Sequence, residues 1–457
     1  MSQTVNMPLW ALVLLVGFAA VTFASHFLFP SVRWFLRRRL ERAVAQLNTR
    51  LQRPIEPFKL ARRYDMIQRL IYDPEVSRAI AAHAKAEGIP ENVAFEQAKR
   101  YAREIVPSFS ATAYFGIAIR LAKWLSRSLY RVRLGHFDEE ALASVDREAT
   151  VVFVMNHRSN MDYVLVTWLA AERSALSYAV GEWARVWPLS RLIKAMGAYF
   201  IRRRSRGDLY RRVLARYVGM ATDGGVTQAM FPEGGLSLSG ALQPPKLGLL
   251  KYLVEERSPG GRDVVFVPVA INYDRVFEDR LLVAAALAGG RRFPARISVV
   301  AGFVLRQVWL RLRRRYHRHG YAAVSFGAPM SLVEFERDHP AAGVEGLARA
   351  LMARIGAEVP VLPVPLVARA LMRAEGPLTR AGLDAMLAAM LEEAPRAHVH
   401  LPRKDLGHAA RFGIQVLRKR GMIEERNGAF VVTETARAVV AYYAASIDHL
   451  FRGCSAE

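Results

Sequence analysis

The stretch VVFVMNHRSNMDYVL, residues 151–165, joins two kinds of chain with no linker between them. Val151 to Met155 is a short, uninterrupted apolar run, the pattern of a strand buried on both faces. From Met161 onward the residues suit an amphipathic or buried helix. Asn156, His157, Arg158, Ser159, Asn160 and Asp162 form a polar cluster in the turn between them. The alternation then repeats. Further strand-like runs stand at 198–202 (AYFIR), 227–231 (TQAMF), 264–271 (VVFVPVAI), 297–300 (ISVV) and 322–326 (AAVSF), with helical segments at 162–172, 206–222 and 246–256. Strands alternating with helices predict an α/β domain over 150–335, a mixed central sheet flanked by helices.

The polar turn has two readings on its residues alone. A histidine with a pKa near ~6.5 can take a proton at neutral pH, and a carboxylate beside it fixes its tautomer. His157 in the turn and Asp162 at the start of the helix have that spacing. Ser159-Asn-Met-Asp162 also fits a capping box, with Ser159 as N-cap and Asp162 three residues on. Three other stretches carry candidate groups. GAYFIRRRSRGD (197–208) delivers Arg202 and Arg203 at a strand end, where guanidinium forks suit phosphate. Phe231-Pro-Glu233-Gly234-Gly235 is a carboxylate followed by paired glycines, a turn where backbone can approach a ligand. Lys246 falls at the expected start of a helix, a position unfavourable to a cation unless it faces an anion. VFVPVAINYDRV (265–276) is a buried strand, and Pro268 suggests a bulge or a strand end there.

Composition limits the partners. The chain has 457 residues, 65 Lys+Arg against 41 Asp+Glu and a formal charge of +24. Such a field favours anions: nucleic acid, acidic lipid headgroups, phosphorylated substrates or an acidic carrier protein. The only cysteine is Cys454, which excludes an intramolecular disulfide and a cysteine-rich metal site.

The flanks are of other types. Met7–Phe29 is an apolar stretch of about the ~20 residues that one membrane crossing needs. Arg33, Arg37, Arg38, Arg39 and Arg42 follow it. The positive-inside rule then predicts a single N-terminal span in the inner (plasma) membrane, the rest of the chain lying in the cytoplasm in contact with membrane lipids. Residues 33–148 read as a helical, membrane-proximal region. The basic amphipathic segment 304–320 suits either an anionic lipid surface or a solvated helix face. PVLPVPLVARAL (360–371) reads as a linker into a C-terminal unit, 365–457, of helices and a hairpin turning at Asn427-Gly428. That order resembles a winged helix and raises nucleic-acid binding as an alternative.

Taken in order, HRSNMDY, GAYFIRR, the Pro-Glu-Gly turn with PPKLGLLKYL, and INYDRVFED resemble the motif blocks of the glycerolipid acyltransferases. The closest likeness is to the glycerol-3-phosphate and dihydroxyacetone-phosphate acyltransferase branch, which AYYAASIDHLF (441–451) also resembles. The resemblance implies acyl transfer from acyl-CoA or acyl carrier protein to glycerol 3-phosphate, with dihydroxyacetone phosphate or lysophosphatidate as alternative acceptors. It implies His157 as general base and Asp162 as its partner, and acceptor contacts from Arg158, Ser159, Arg202, Arg203, Glu233, Gly234, Gly235 and Lys246. The C-terminal unit then needs no nucleic acid. No cofactor or metal is called for, because a thioester is already activated. The pattern departs in one place: the family has arginines after its Glu-Gly turn, and here Leu236 and Leu238 stand there. That departure bears on the acceptor and leaves the acyl-transfer chemistry intact.

Overall fold

Residues 151–155 do form a strand, and it lies inside the main sheet. The computed structural model describes residues 8–171, 174–181, 189–202, 207–289, 319–394, 398–400 and 405–451; side chains at 20–21, 23–38, 40–41 and 189 lie outside this description. The strands are β1 (Arg131–Phe137), β2 (Thr150–Met155), β3 (Ser177–Gly181), β4 (Tyr199–Ile201), β5 (Gln228–Met230), β6 (Val264–Tyr273), β7 (Tyr321–Phe326) and β8 (Met330–Ser331). They order as β1-β7-β6-β2-β5-β3-β4, and β8 also pairs with β6. β2 runs parallel to β6 from Thr150 beside Val264 to Met155 beside Val269. Every residue of both strands is buried, as a strand with neighbours on both sides and helices on both faces requires. β7 and β8 are antiparallel to β6, so the sheet is mixed and the α/β class expected from the sequence is present.

Pro268 neither bulges β6 nor ends it. It pairs in register with Val154. On the other side of β6, β8 reaches as far as Phe266 and β7 starts at Val269. The proline falls where one neighbour gives way to the next, and its carbonyl accepts from Gly327 N–H at 2.8 Å. A missing N–H costs little in that gap.

Several regions differ from their sequence reading, and β3 is one, a strand at 177–181 where none was expected. β1 lies within the stretch expected to be helical and pairs in parallel with β7. RVRLGHF does alternate in character, but it follows directly on the helix Ile119–Leu129 with no turn residue to mark the change. Most of the expected linker, 360–371, lies in the helix Pro363–Arg373, with Val364, Leu366, Val367, Ala368 and Ala370 buried. Proline is tolerated in a first helical turn, where its missing N–H has no intrahelical partner in any case. Beyond this helix, β9 (Leu378–Thr379), β10 (Ile423–Arg426) and β11 (Ala429–Val432) make a small antiparallel sheet. Asn427 and Gly428, both at positive φ, form the hairpin turn.

The chain divides into two units, Met1–Ile55 and Glu56–Glu457. The first is mainly one helix, Leu9–Asn48. The span expected at 7–29 is not supported: among the described residues no helix is long and apolar enough to cross a membrane. The single crossing of the inner membrane, and the placement of the catalytic domain that rested on it, are therefore withdrawn. The expected strand 297–300, most of the basic segment 304–320 and Cys454 lie outside the described residues.

Within the second unit the α-helix Arg437–Ala445 packs against the helices Pro363–Arg373 and Asp279–Leu287. Asp279 is nearly inaccessible and accepts from Arg420 Nη2 and from the Tyr443 hydroxyl, both at 2.5 Å. Removing one side of a buried pair leaves a buried charge without its partner. Arg420→Ala is expected to lower unfolding free energy by ~3–5 kcal/mol, measured by urea denaturation.

Candidate active site

The turn after β2 is held by its own side chains. Asn156 exchanges two hydrogen bonds with the backbone of Ile271, Nδ2 to the carbonyl at 3.0 Å and Oδ1 from the N–H at 2.8 Å. The side chain thus continues the β2–β6 ladder past the end of β2. The chain then turns into the helix Met161–Leu169, and His157 and Asp162 face each other. His157 Nδ1 lies 2.9 Å from Asp162 Oδ2, and both side chains are almost fully buried.

Asp162 collects donors. Its Oδ2 accepts from the N–H groups of Arg158 at 2.7 Å and Ser159 at 3.0 Å, and its Oδ1 accepts from the Tyr273 hydroxyl at 2.6 Å. Such a carboxylate is held in one orientation by its donors, and its oxygen facing Nδ1 favours the ring tautomer with the proton there. Nε2 is the nitrogen left to exchange a proton. The ring itself is stacked on Phe231, centroids 4.0 Å apart, with Tyr163 edge-on at 5.4 Å.

Capping and dyad coexist, with altered partners. The bond from Asp162 back to Ser159 N–H is half of the expected capping box. The helix begins after Asn160, whose side chain makes no cap bond. Ser159 Oγ accepts from Met161 N–H at 3.2 Å and donates to Glu278 Oε2 at 2.8 Å. Glu278 Oε1 also accepts from Asn160 N–H at 3.3 Å and Nδ2 at 3.1 Å. The burial of Glu278 raises its pKa.

The Pro-Glu-Gly turn meets the dyad from β5. Glu233 Oε1 accepts from His157 N–H at 3.2 Å, and Ser237 N–H donates to the His157 carbonyl at 2.9 Å. Gly234 has φ +67°, and a β-carbon there would meet Lys246 Cδ at 2.7 Å, so the lysine stem lies along the turn. Lys246 does not open a helix; that helix is Gly248–Glu255, and Lys246 N–H bonds the Pro232 carbonyl at 2.8 Å. Gly235 follows in the same turn. Leu236 and Leu238 pack against the hydrophobic core, on either side of buried Ser237. Apolar contact thus stands where the family carries arginines.

Burial pushes Glu233 up to about 8, against the partial relief of the His157 N–H. The same cause lifts Asp274 to about 7. A carboxyl whose folded pKa is raised stabilises the fold below its unfolded pKa and loses that contribution as pH rises through the folded value. Unfolding free energy is therefore expected to fall between about pH 4.5 and 8. Glu233→Gln is expected to flatten the part of that fall nearest pH 8, measured by urea denaturation across the range.

Arg158 is buried over the Tyr442 ring, 5.0 Å from its centroid, and its Nη1 bonds the Gly240 carbonyl. Its Nε and Nη2, like Glu233 Oε2, bond to nothing among the described residues. Arg202 does not present its guanidinium to this site. It closes on Glu104 through Nε–Oε1 at 2.8 Å and Nη2–Oε2 at 2.6 Å, stacked near Tyr101. Its expected role as a phosphate clamp is corrected to a tie between β4 and the helix Glu91–Ile105. Arg203 lies outside the described residues. The sequence reading did not single out Tyr273, Glu278 or Tyr442. INYDRVFED and AYYAASIDHLF contain all three, but nothing local marks which tyrosine or glutamate turns toward residue 162.

Comparison with known proteins adds to this. Residues 136–272 match the family model described as acyltransferase, and residues 305–453 match that of the glycerol-3-phosphate acyltransferase C-terminal region. Proteins named glycerol-3-phosphate acyltransferase from Aeromonas hydrophila and Pseudomonas putida are each 29% identical over 86% of this chain. The alignments cover 50% and 49% of those proteins, so the chain spans about half the length of the curated relatives it matches. The solved 1-acyl-sn-glycerophosphate acyltransferase of Thermotoga maritima aligns with 57% of this chain and 83% of its own, at 18% identity and a TM-score of 0.30, a likeness that carries no argument.

Proposed function

We propose that this chain, which belongs to the glycerolipid acyltransferase family in its glycerol-3-phosphate and dihydroxyacetone-phosphate branch, is an O-acyltransferase that esterifies glycerol 3-phosphate. The observation that carries the reading is the buried His157–Asp162 pair at 2.9 Å, with Asp162 fixed from its other side by Tyr273. Asp162 keeps the proton on Nδ1. His157 Nε2 removes the proton of the acceptor hydroxyl as its oxygen attacks the thioester carbonyl. The C–O bond forms, the C–S bond breaks, and the proton passes from the imidazolium to the departing sulfur. Asp162 stabilises the imidazolium while it lasts.

The acceptor contacts follow from groups with capacity to spare. Arg158 Nε and Nη2 are buried donors suited to a phosphate oxygen. Burial lifts the Glu233 carboxyl to about 8, which favours its neutral form near pH 7, and in that form Oε2 donates to an acceptor oxygen without adding negative charge. Gly234, Gly235 and Lys246 border the same turn, and Ser159 positions the helix that carries Asp162. The formal charge of +24 favours a phosphorylated acceptor and suits either acyl-CoA or acyl carrier protein as donor.

The test presents the full chain with glycerol 3-phosphate, dihydroxyacetone phosphate or lysophosphatidate, each with acyl-CoA and then with acyl carrier protein thioester, and identifies the lipid formed. Monoacylated glycerol 3-phosphate as the main product is expected. A preference for either other acceptor overturns the assignment of substrate, and no product from any pairing overturns the reading as a whole.

A further inference from the structure

Away from the dyad, three side chains distant in sequence converge at the edge of the sheet. His136 stands on β1, Glu358 directly follows the helix Gly343–Ala357, and His398 precedes the helix Leu406–Lys419. β7 and β6 separate β1 from β2, roughly 14 Å across the sheet at about 4.8 Å per strand. His136 Nδ1 lies 3.1 Å from Glu358 Oε2, and His398 Nε2 lies 3.1 Å from the same oxygen. The ligand atoms of all three residues fall within 4.8 Å of one another. The two imidazoles are parallel, 4.7 Å apart with 9° between their planes.

We propose that His136, Glu358 and His398 bind a divalent transition-metal ion of the zinc type. Two imidazoles and one carboxylate are a recurrent three-ligand set for zinc, with water or a further ligand completing the tetrahedron. Bonds of ~2.0–2.1 Å at tetrahedral angles put donor atoms about 3.3 Å apart, close to the two 3.1 Å separations here. A simple ion pair needs one ring on the carboxylate. Two stacked rings aimed at one oxygen repel each other once both are protonated, whereas a metal takes both in neutral form.

The backbone around the cluster is fixed. The His398 carbonyl accepts from Val361 N–H and His400 N–H donates to the Val361 carbonyl, both at 2.9 Å. Gly327 leaves room for the Glu358 stem, since a β-carbon there would meet Glu358 Cγ at 2.9 Å. The bound ion ties the edge strand β1 to the two later segments.

The experiment uses the untagged full chain, stripped with a chelator that is then removed. Zn²⁺ is titrated in competition with a chromophoric chelator at pH 7.5, and Co²⁺ is titrated by its visible absorption. One tight equivalent is expected, with the Co²⁺ band of a low-symmetry, four-coordinate N/O site. His136→Ala/His398→Ala should weaken it by ~100-fold or more, and Glu358→Gln by at least ~10-fold, since even outer-shell changes cost 10–100-fold. His83→Ala, whose ring bonds Gln97, should leave it unchanged. Circular dichroism checks the fold of each variant, and Glu358→Gln alone decides the matter if the double variant unfolds. No stoichiometric binding, or binding equally tight without these ligands, overturns the proposal.

Discussion

His157→Ala is expected to lower kcat by ~10²–10⁴-fold, the usual cost of removing a positioned general base, with a much smaller change in the KM for acceptor. The ring's contacts explain that split. Its Nδ1 is committed to Asp162, and one face is stacked on Phe231, so what Nε2 contributes is proton transfer in the transition state. In the proposed mechanism the acceptor is held by Arg158 and the Glu233 turn, which remain. The substitution also removes a buried ring, so thermal unfolding must accompany the assay. A variant that folds and keeps wild-type turnover would refute the proposed mechanism.

Asp162→Asn is expected to cost as much, up to ~10⁴-fold in kcat, for a different reason. Asp162 accepts from His157 Nδ1, Arg158 N–H, Ser159 N–H and the Tyr273 hydroxyl. An amide offers one acceptor oxygen and one NH₂ group. If the NH₂ faces His157, the ring must carry its proton on Nε2 and can no longer act as base. If the oxygen faces His157, the tautomer survives but the imidazolium loses its counter-charge. Either way turnover falls while the backbone geometry persists. Asp162→Ala is the poorer test, since each buried donor it leaves without an acceptor costs ~1–3 kcal/mol. The comparison to make is kcat for Asp162→Asn beside Tyr273→Phe. The latter removes one donor to Asp162 and should reduce turnover far less.

The sequence showed β2, β4, β5, β6 and β7 because buried strands are short, apolar and punctuated, but it did not show β3, Ser177–Gly181. It located His157, Asp162 and Glu233 because their motifs are local. It failed where the deciding contact is not local. Arg202 ends a basic strand and reads as a phosphate ligand, but the residue that claims it, Glu104, lies on a helix far earlier in the chain. Residues 360–371 carry three prolines and read as a linker, yet Pro363–Arg373 is a helix whose apolar side chains are buried. Tyr273 is one of many tyrosines, and only the register of β6 against β2 turns its hydroxyl to Asp162. Leu236 and Leu238 were noticed as an absence of charge. Their place against the core makes them a positive feature of this chain.

Tyr442 has a further consequence, one of time. It underlies Arg158, and its carbonyl lies so near Gly240 that a β-carbon there would stand 1.9 Å away. Gly240 in turn belongs to the loop whose Ser237 holds the His157 carbonyl. During synthesis at ~5–20 residues per second, the interval between the emergence of His157 and that of Tyr442 is roughly 15–60 s. For that interval the nascent chain has His157 and Asp162 but lacks the residue against which Arg158 and the Gly240 loop settle. The site should therefore settle only once Tyr442 has seated, and released chains truncated before Tyr442 should be more open to proteolysis at the 236–245 loop than the full chain.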